Sequence, residues 1–190
     1  FASAENVLQQ GIDSRGEEMH ILLYHNMGRL HRQLGEYEQA LDFYRVALDE
    51  KRGLVSGDHP DLGYELNAMS ITYERMGDLE NAIRYAEESS RVRMAYGEDS
   101  PIAVGMILRV ASLCAQAGDF DRAEELFLTA WPHIEANPDV LGMAANRLAG
   151  GDSEPVQNAV AFFARLLRDR GRHDLADSFE EIARKRVEES

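Results

Sequence analysis

The sequence predicts an all-α fold built from a stacked two-helix repeat, and three observations predict it. Glycine, a large apolar or aromatic residue, and alanine recur in register at steps of 42 and 41 residues. Each glycine follows a stretch whose apolar residues lie three or four positions apart, which is the period of an amphipathic helix. Of the 190 residues, 44% are hydrophobic and 28% are charged, as in a folded protein. Repeated helical pairs of this kind stack into a solenoid.

The repeat is clearest in three aligned segments that begin at Leu34, Met76 and Ala117. The three recurring columns are Gly35, Gly77 and Gly118, then Tyr37, Leu79 and Phe120, and then Ala40, Ala82 and Ala123. The stretch before each glycine predicts the first helix of a unit, and the stretch after it predicts the second. Glycine ends a helix well because it adopts the left-handed cap conformation without strain. The predicted units span about 19–58, 59–99 and 100–137.

Capping residues and small residues support these helix boundaries. Asp78 and Asp119 directly follow two of the glycines and are good N-caps for the second helices. Ser100 precedes Pro101, which favours a helix start at that proline. Each helix also has one small residue at a matched site, so that two helices can approach closely. In the first helices these residues are Gly28, Ser70 and Ala111, and in the second helices they are the three aligned alanines.

The two ends of the chain depart from the repeat. We interpret residues 1–18 as the remnant second helix of a preceding unit, and we expect the chain to self-associate through the apolar face that this truncated repeat leaves uncovered. For residues 138–154 we predict an irregular insertion or a short helix. Residues 155–190 predict a divergent C-terminal helical hairpin that turns at Gly171.

These features resemble the tetratricopeptide repeat, whose unit carries small residues at two matched helix sites and a Gly-x-aromatic turn. The long step and the linker at residues 56–61 (SGDHPD) most resemble the kinesin light chain subtype. The resemblance is close from about Met19 to Asn137. It implies a right-handed superhelix whose first helices line a concave groove, and in which that groove binds an extended peptide of a partner protein.

The register places one face of each first helix in this groove, because residues three and four apart share a helix face. The candidate peptide-binding residues are Leu22, His25, Asn26, Arg29 and Arg32, then Tyr64, Asn67, Ile71 and Arg75, then Leu108, Arg109, Ser112 and Gln116, and finally Arg165 in the C-terminal hairpin. We expect the arginines to supply charge recognition, since a guanidinium binds a carboxylate through two parallel hydrogen bonds. We expect Tyr64, Asn67 and Leu108 to supply shape and hydrogen bonding.

The distribution of charge indicates which kind of partner the groove would bind. The chain has 20 basic and 34 acidic residues and a net charge of −14, which excludes a phosphate-tracking nucleic-acid binder and a polybasic membrane-surface module. The predicted first helices carry four basic against three acidic residues, whereas the second helices carry seven against fourteen. An acidic segment could therefore enter the groove while the outer helices repel it. The alternative is that the groove arginines only solubilise half-exposed helices.

The kinesin light chain resemblance also bears on the partner. Members of that family bind cargo peptides, some of which pair a tryptophan with acidic residues, and their repeats often carry a Leu-Asn-x-Leu/Met frame on the first helix. Residues 66–69 (LNAM) fit this frame, whereas the other two units do not. Tetratricopeptide modules that bind a chaperone's terminal carboxylate use lysine in their first helices, and this chain has none there.

No pattern of catalytic or metal-binding residues stands out. His20, His25 and His31 are separated by five and six positions, which does not place two ligands on one helical face. Cys114, the single cysteine, falls in a core column and predicts a buried, inert thiol. We therefore expect no enzymatic activity, no cofactor and no metal.

Two expectations concern the setting of the chain. A lone cysteine requires no oxidising compartment, and the first residues lack the pattern of a signal peptide, so we expect a cytoplasmic protein. The main function predicted is a protein-interaction scaffold. The alternative is a regulatory or oligomerisation segment of a larger enzyme or sensor, with the groove occupied by its own chain.

Overall fold

The computed structural model describes residues 2–55, 57–94, 101–137 and 156–188. In chain order they form α1 (Ala2–Gln33), α2 (Tyr37–Leu54), a short 3-10 helix (Pro60–Leu62), α3 (Gly63–Met76), α4 (Leu79–Arg93), α5 (Pro101–Gln116), α6 (Phe120–Ala136), α7 (Val156–Asp169) and α8 (His173–Glu188). No strand occurs within these four ranges. Consecutive helices pack as hairpins, and α2 with α3 and α4 with α5 join one hairpin to the next. The predicted all-α solenoid is therefore confirmed.

Each hairpin turns at a glycine in the left-handed conformation. The φ angles are +80° at Gly35, +80° at Gly77, +84° at Gly118 and +75° at Gly171. The turn also satisfies the last carbonyls of the helix before it. At the second turn, the N–H of Gly77 donates to the carbonyl of Glu74 and the N–H of Asp78 donates to the carbonyl of Tyr73, both at 3.0 Å. These hydrogen bonds explain why the glycines recur in register, because other residues adopt this φ only with strain.

The predicted aspartate caps are also confirmed. Asp78 Oδ1 accepts a hydrogen bond from the N–H of Asn81 at 3.1 Å, and Asp119 Oδ1 accepts one from the N–H of Arg122 at 3.2 Å. Hydrogen bonds from the Asn81 side chain and backbone hold the pKa of Asp78 below its usual value. Each cap satisfies one of the amide groups that the first turn of a helix leaves without a helical partner.

The small residues lie where the two helices of a hairpin cross, and all six are buried. At Gly28, an added Cβ would lie only 2.7 Å from Cε1 of Tyr44, so the close approach of α1 and α2 requires glycine. In the second hairpin, the Ser70 hydroxyl donates to the carbonyl of Ala82 at 2.8 Å and ties α3 to α4. The close approach predicted from residue size is therefore confirmed.

One apolar core runs along the array from α2 to α8. Its large side chains include Tyr44, Met69 and Phe127, each at most 1% exposed. The C-terminal hairpin joins this core through aromatic contacts. The ring centroid of Phe127 lies 5.0 Å from that of Phe163 on α7 and 5.0 Å from that of Phe179 on α8. The pair α7/α8 therefore continues the core of the repeats.

The N-terminal end differs from the prediction. Residues 1–18 were expected to form the second helix of a preceding unit, yet α1 continues without a turn from Ala2 to Gln33. The prediction of a separate helix is wrong because the sequence between the two segments has no proline and no linker of the SGDHPD kind. Gly16 alone does not end a helix, since glycine inside a helix is only mildly unfavourable. The insertion predicted at 138–154 lies outside the described residues.

Candidate functional site

The predicted groove residues divide into three groups by exposure. The exposed ones are Leu22, Asn26, Arg29, Tyr64, Arg75, Gln116 and Arg165, the half-buried ones are His25, Asn67 and Ser112, and the buried ones are Arg32, Ile71, Leu108 and Arg109. The prediction that all fourteen line an open groove does not agree with the structure at the last four, because their side chains are buried. In α3 and α5 the physical reason is that neighbouring helices cover the face that the register assigns to the groove.

Arg109 was predicted to bind a partner peptide, but its guanidinium pairs with groups inside the fold. Its guanidinium donates to Glu74 Oε2 at 2.9 Å and to the Ser70 hydroxyl at 3.3 Å. Gln116 Nε2 donates to the other oxygen of the same carboxylate at 2.8 Å. Arg109 is only 2% exposed. It therefore joins α5 to α3 through a partly buried ion pair, in which Arg109 itself does not reach solvent.

The arginines that remain exposed lie on three first helices. Arg29 lies on α1 and Arg75 on α3, each in the C-terminal half of its helix, and these two helices contact each other directly. Arg165 lies on α7 with its side chain 85% exposed, and its Nε is 3.8 Å from Asp169 Oδ2. Arg29 and Arg75 are thus two exposed arginines near the C-terminal ends of α1 and α3.

A cleft of about 600 Å³ opens on the N-terminal side of these arginines, between α1, the end of α2 and the start of α3. Its apolar walls are Ile21, Leu22, Leu54, Val55 and Tyr64. The register predicted two of these five, Leu22 and Tyr64. It could not predict Leu54 and Val55, because they belong to the end of a second helix and reach the cleft only through the packing of α2 against α3.

The polar base of this cleft is a buried carboxylate. Glu65 is 2% exposed, and Lys51 Nζ donates to its two oxygens at 3.0 and 2.9 Å. Nδ1 of His25 lies 3.4 Å from Glu65 Oε1. Burial alone would raise the pKa of Glu65, but the contacts with His25 and Lys51 hold it below its usual value. The carboxylate is therefore ionised and paired at neutral pH.

Tyr64 lines the cleft and its ring contacts two cations. It is 55% exposed, with the guanidinium carbon of Arg93 4.4 Å from its ring centroid and Lys51 Nζ 5.6 Å from it. A cation near the face of an aromatic ring is attracted by the ring's π electrons, so these two contacts restrict the orientation of the Tyr64 ring. Sequence reasoning missed Lys51, Glu65 and Arg93. Two of them lie on second helices, and the burial of Glu65 can be recognised only once its partner Lys51 on α2 is known.

Other chemistry is limited in the part of the chain that the structure describes. No group of three or more His, Cys, Asp or Glu side chains there is arranged to hold a metal ion. Cys114 is fully buried, as predicted, and burial raises the pKa of its thiol. Among the described helices, none combines the length and apolar character needed to cross a membrane.

Comparison with known proteins agrees with this fold. Residues 18–95 match the family model of the tetratricopeptide repeat. A protein of Podosopora anserina described as a kinesin light chain with nearly identical repeats superimposes with a TM-score of 0.51 at 14% identity, covering 87% of this chain and 93% of that one. BtubC from P. vanneervenii gives a TM-score of 0.52 at 16% identity, covering 84% of this chain and 77% of that one. The chain therefore carries tetratricopeptide repeats over residues 18–95, and its fold is that of a tetratricopeptide solenoid.

Proposed function

We propose that the chain is a scaffold that binds an extended, acidic peptide segment of a partner protein along α1 and α3. Tetratricopeptide repeats generally mediate protein–protein interaction through the surface that their stacked helices form. The proposed activity is binding, without a chemical step. The observation that carries the proposal is the arrangement of the exposed Arg29 and Arg75 near the C-terminal ends of two adjoining first helices, with an apolar cleft about two to three helical turns away on their N-terminal side.

The two ends of this surface suit different side chains of one peptide. The cleft between Leu22 and Tyr64 offers apolar walls, and a partner side chain placed there would be shielded from water. Arg29 lies seven residues beyond Leu22, which is about 10 Å along a helix and corresponds to about three residues of an extended peptide. The preferred segment therefore has a large apolar residue about three positions from an acidic one.

Peptide binding tests this directly. Short fluorescein-labelled peptides with one tryptophan and a cluster of Asp or Glu about three positions away are titrated with the protein and followed by fluorescence anisotropy. We expect the acidic peptides to bind more tightly than versions with Asn and Gln, and the versions with Lys and Arg to bind least. Added salt should weaken the acidic series most, because screening acts on exposed charges.

A charge-reversal variant locates the binding surface. Arg29→Glu with Arg75→Glu is expected to weaken binding of the acidic peptides by at least about tenfold. The matched control is Arg84→Glu with Arg91→Glu, which changes the net charge equally on exposed positions of α4. Equal weakening by both variants would mean that net charge alone decides binding. Absence of binding by every peptide would instead favour the alternative of a groove occupied by its own chain.

We further propose a cytoplasmic location, in keeping with a single buried cysteine that forms no disulfide. Imaging of a fluorescent fusion of the protein tests it. A secreted or organelle-enclosed fusion would contradict the proposal.

A further inference from the structure

An apolar stripe runs along the exposed side of α1. Met19, Leu23, Leu30 and Leu34 are 66%, 56%, 47% and 63% exposed. Successive positions of a helix are turned by about 100°, so these four residues fall within a sector of about 60°. Leu34 belongs to the same stripe because its N–H still donates to the carbonyl of Leu30 at 3.1 Å. A helix face of this kind is ordinarily polar when it faces water.

The stripe is separate from both surfaces of α1 that are already in use. The side that packs on α2 carries the buried residues Ile21, Gly28 and Arg32, on the opposite side of the helix from the stripe. The side toward α3 carries Leu22, His25 and Arg29. The stripe is therefore a third face, and neither the core nor the proposed peptide groove accounts for its apolar character.

The spacing of the stripe is the same in both directions along the helix. Its four residues are separated by four, seven and four positions. When a second copy of α1 is laid antiparallel, Met19 faces Leu34 of the other copy and Leu23 faces Leu30, and both pairings occur twice by symmetry. This is the self-complementarity that a two-fold interface requires. The antiparallel arrangement also places opposite ends of the two helix dipoles together.

The other end of the array does not match the stripe. The exposed side chains of α8 include Asp174, Asp177, Glu181 and Arg184, so head-to-tail stacking would bury the apolar stripe against charged groups. A second copy of α1 offers an apolar surface of the same length instead. We propose that two chains associate through this stripe as an antiparallel, two-fold α1–α1 pair.

The size of the stripe sets the expected strength. The fifteen helical steps from Met19 to Leu34 extend about 22 Å, and a helix is about 10 Å wide, so the stripe covers on the order of 200 Å². A stable interface buries about 800 Å² per partner. The pair is therefore weak, and the dimer should form only as the protein concentration is raised. Self-association was also expected through Val7, Leu8 and Ile12, whose side chains lie outside the described residues.

Analytical ultracentrifugation of the full chain over a wide concentration range tests the proposal. The wild-type protein should pass from the mass of one chain toward that of two as concentration rises. Leu23→Glu with Leu30→Glu places like charges opposite each other and should weaken the dimer by more than about 100-fold. The control is Val46→Glu with Phe120→Glu, two exposed apolar positions on α2 and α6, which should leave the dimer unchanged. Circular dichroism checks that all variants fold.

Cysteine cross-linking tests the orientation, since the native Cys114 is buried. A mixture of the Met19→Cys and Leu34→Cys chains should form a cross-linked pair with a short bismaleimide. Leu34→Cys alone should not, because its two copies lie about 22 Å apart in the antiparallel pair. Cross-linking of Leu34→Cys to itself would overturn the antiparallel arrangement. A wild-type chain that stays monomeric at the highest concentration, or a dimer that survives the double glutamate change, would overturn the proposal as a whole.

These outcomes are independent of the peptide-binding proposal. The stripe variants leave Arg29, Arg75 and the cleft residues untouched, so their peptide affinity should equal that of the wild type. Loss of dimerisation with normal peptide binding supports both proposals, and loss of peptide binding with normal dimerisation counts against the groove alone.

Discussion

The helices α1 and α3 begin consecutive repeats and share one hairpin geometry, yet they differ sharply in burial. Nine of the fourteen residues of α3 are buried, whereas only three of the fifteen from Met19 to Gln33 are. The α3 helix packs mainly on α2 and α4, also contacts α1 and is tied to α5 by Arg109, whereas α1 packs mainly on α2 and contacts α3 far less. The number of described helices that pack on a first helix therefore decides how much of it is covered.

One register column makes the same point. Arg29 and Ile71 are 42 residues apart and occupy equivalent sites, but Arg29 is exposed and Ile71 is 6% exposed. The covered site in α3 holds the apolar Ile71, since an arginine buried there would need a partner for its charge. The same register position is therefore exposed in α1 and buried in α3.

The largest expected effect contrasts a buried leucine of α3 with an exposed one of α1. Leu66→Ala removes a fully buried side chain and should lower the free energy of unfolding by about 3 kcal/mol. Leu23→Ala should change it by less than about 0.5 kcal/mol. Urea denaturation at low protein concentration, where the monomer dominates, measures both. Similar losses for the two variants would refute the contrast in burial between α1 and α3.

The second prediction concerns the buried carboxylate of α3. Glu65→Gln leaves Lys51 without its counter-charge and should lower the free energy of unfolding at neutral pH by about 2 kcal/mol. Because the pKa of Glu65 is lower in the folded than in the unfolded chain, its contribution is complete above about pH 5 and is lost as the pH falls through the folded pKa. The difference between wild type and variant should therefore shrink in acid.

The control for this prediction is Glu88→Gln, which removes the charge from a more exposed pair with Arg52 at 3.1 Å. It should cost less than about 0.5 kcal/mol, because solvent screens such pairs. A difference between Glu65→Gln and wild type that grows as the pH is lowered would contradict the assigned direction of the pKa shift.

The third prediction concerns the left-handed glycine turns, which α1 and α3 have in common. Gly35→Ala and Gly77→Ala should each lower the free energy of unfolding by about 1 kcal/mol, because both glycines have a φ of +80°. No heavy atom lies within 4 Å of an added Cβ at either site, so only the backbone conformation matters. Thermal and urea denaturation should give equal values, and a much larger loss at Gly77 would show that the turns also depend on their neighbours.

The smallest expected effect concerns the helix starts. Asp78→Ala should lower the free energy of unfolding by about 1 kcal/mol or less, because it removes the cap of α4. Glu36→Ala at the start of α2 should have a smaller effect, since that side chain makes no cap hydrogen bond and its contact with His31 is exposed. The same denaturation measurements compare the two, and the reverse order would contradict the assigned role of Asp78.

The repeat, its turns and its close helix crossings were predictable because each depends on residues near one another in the chain. A left-handed turn needs Gly77, a cap needs Asp78, and a tight crossing needs Gly28, whatever lies farther away. The continuous α1 was missed by the same local reasoning, because the expected break rested on analogy with later units and no residue between the two segments enforces it.

The sequence by itself determined the helices, the positions of the turns and the order of the hairpins, because helix period, glycine conformation and side-chain size act over a few residues. Only the tertiary structure decided which groove residues are exposed. Arg109 was expected to bind a partner and instead pairs with Glu74, and the cleft depends on Lys51 from a second helix meeting Glu65 from the next repeat. Exposure and charge pairing are properties of neighbours distant in the chain, so they arise when the hairpins stack.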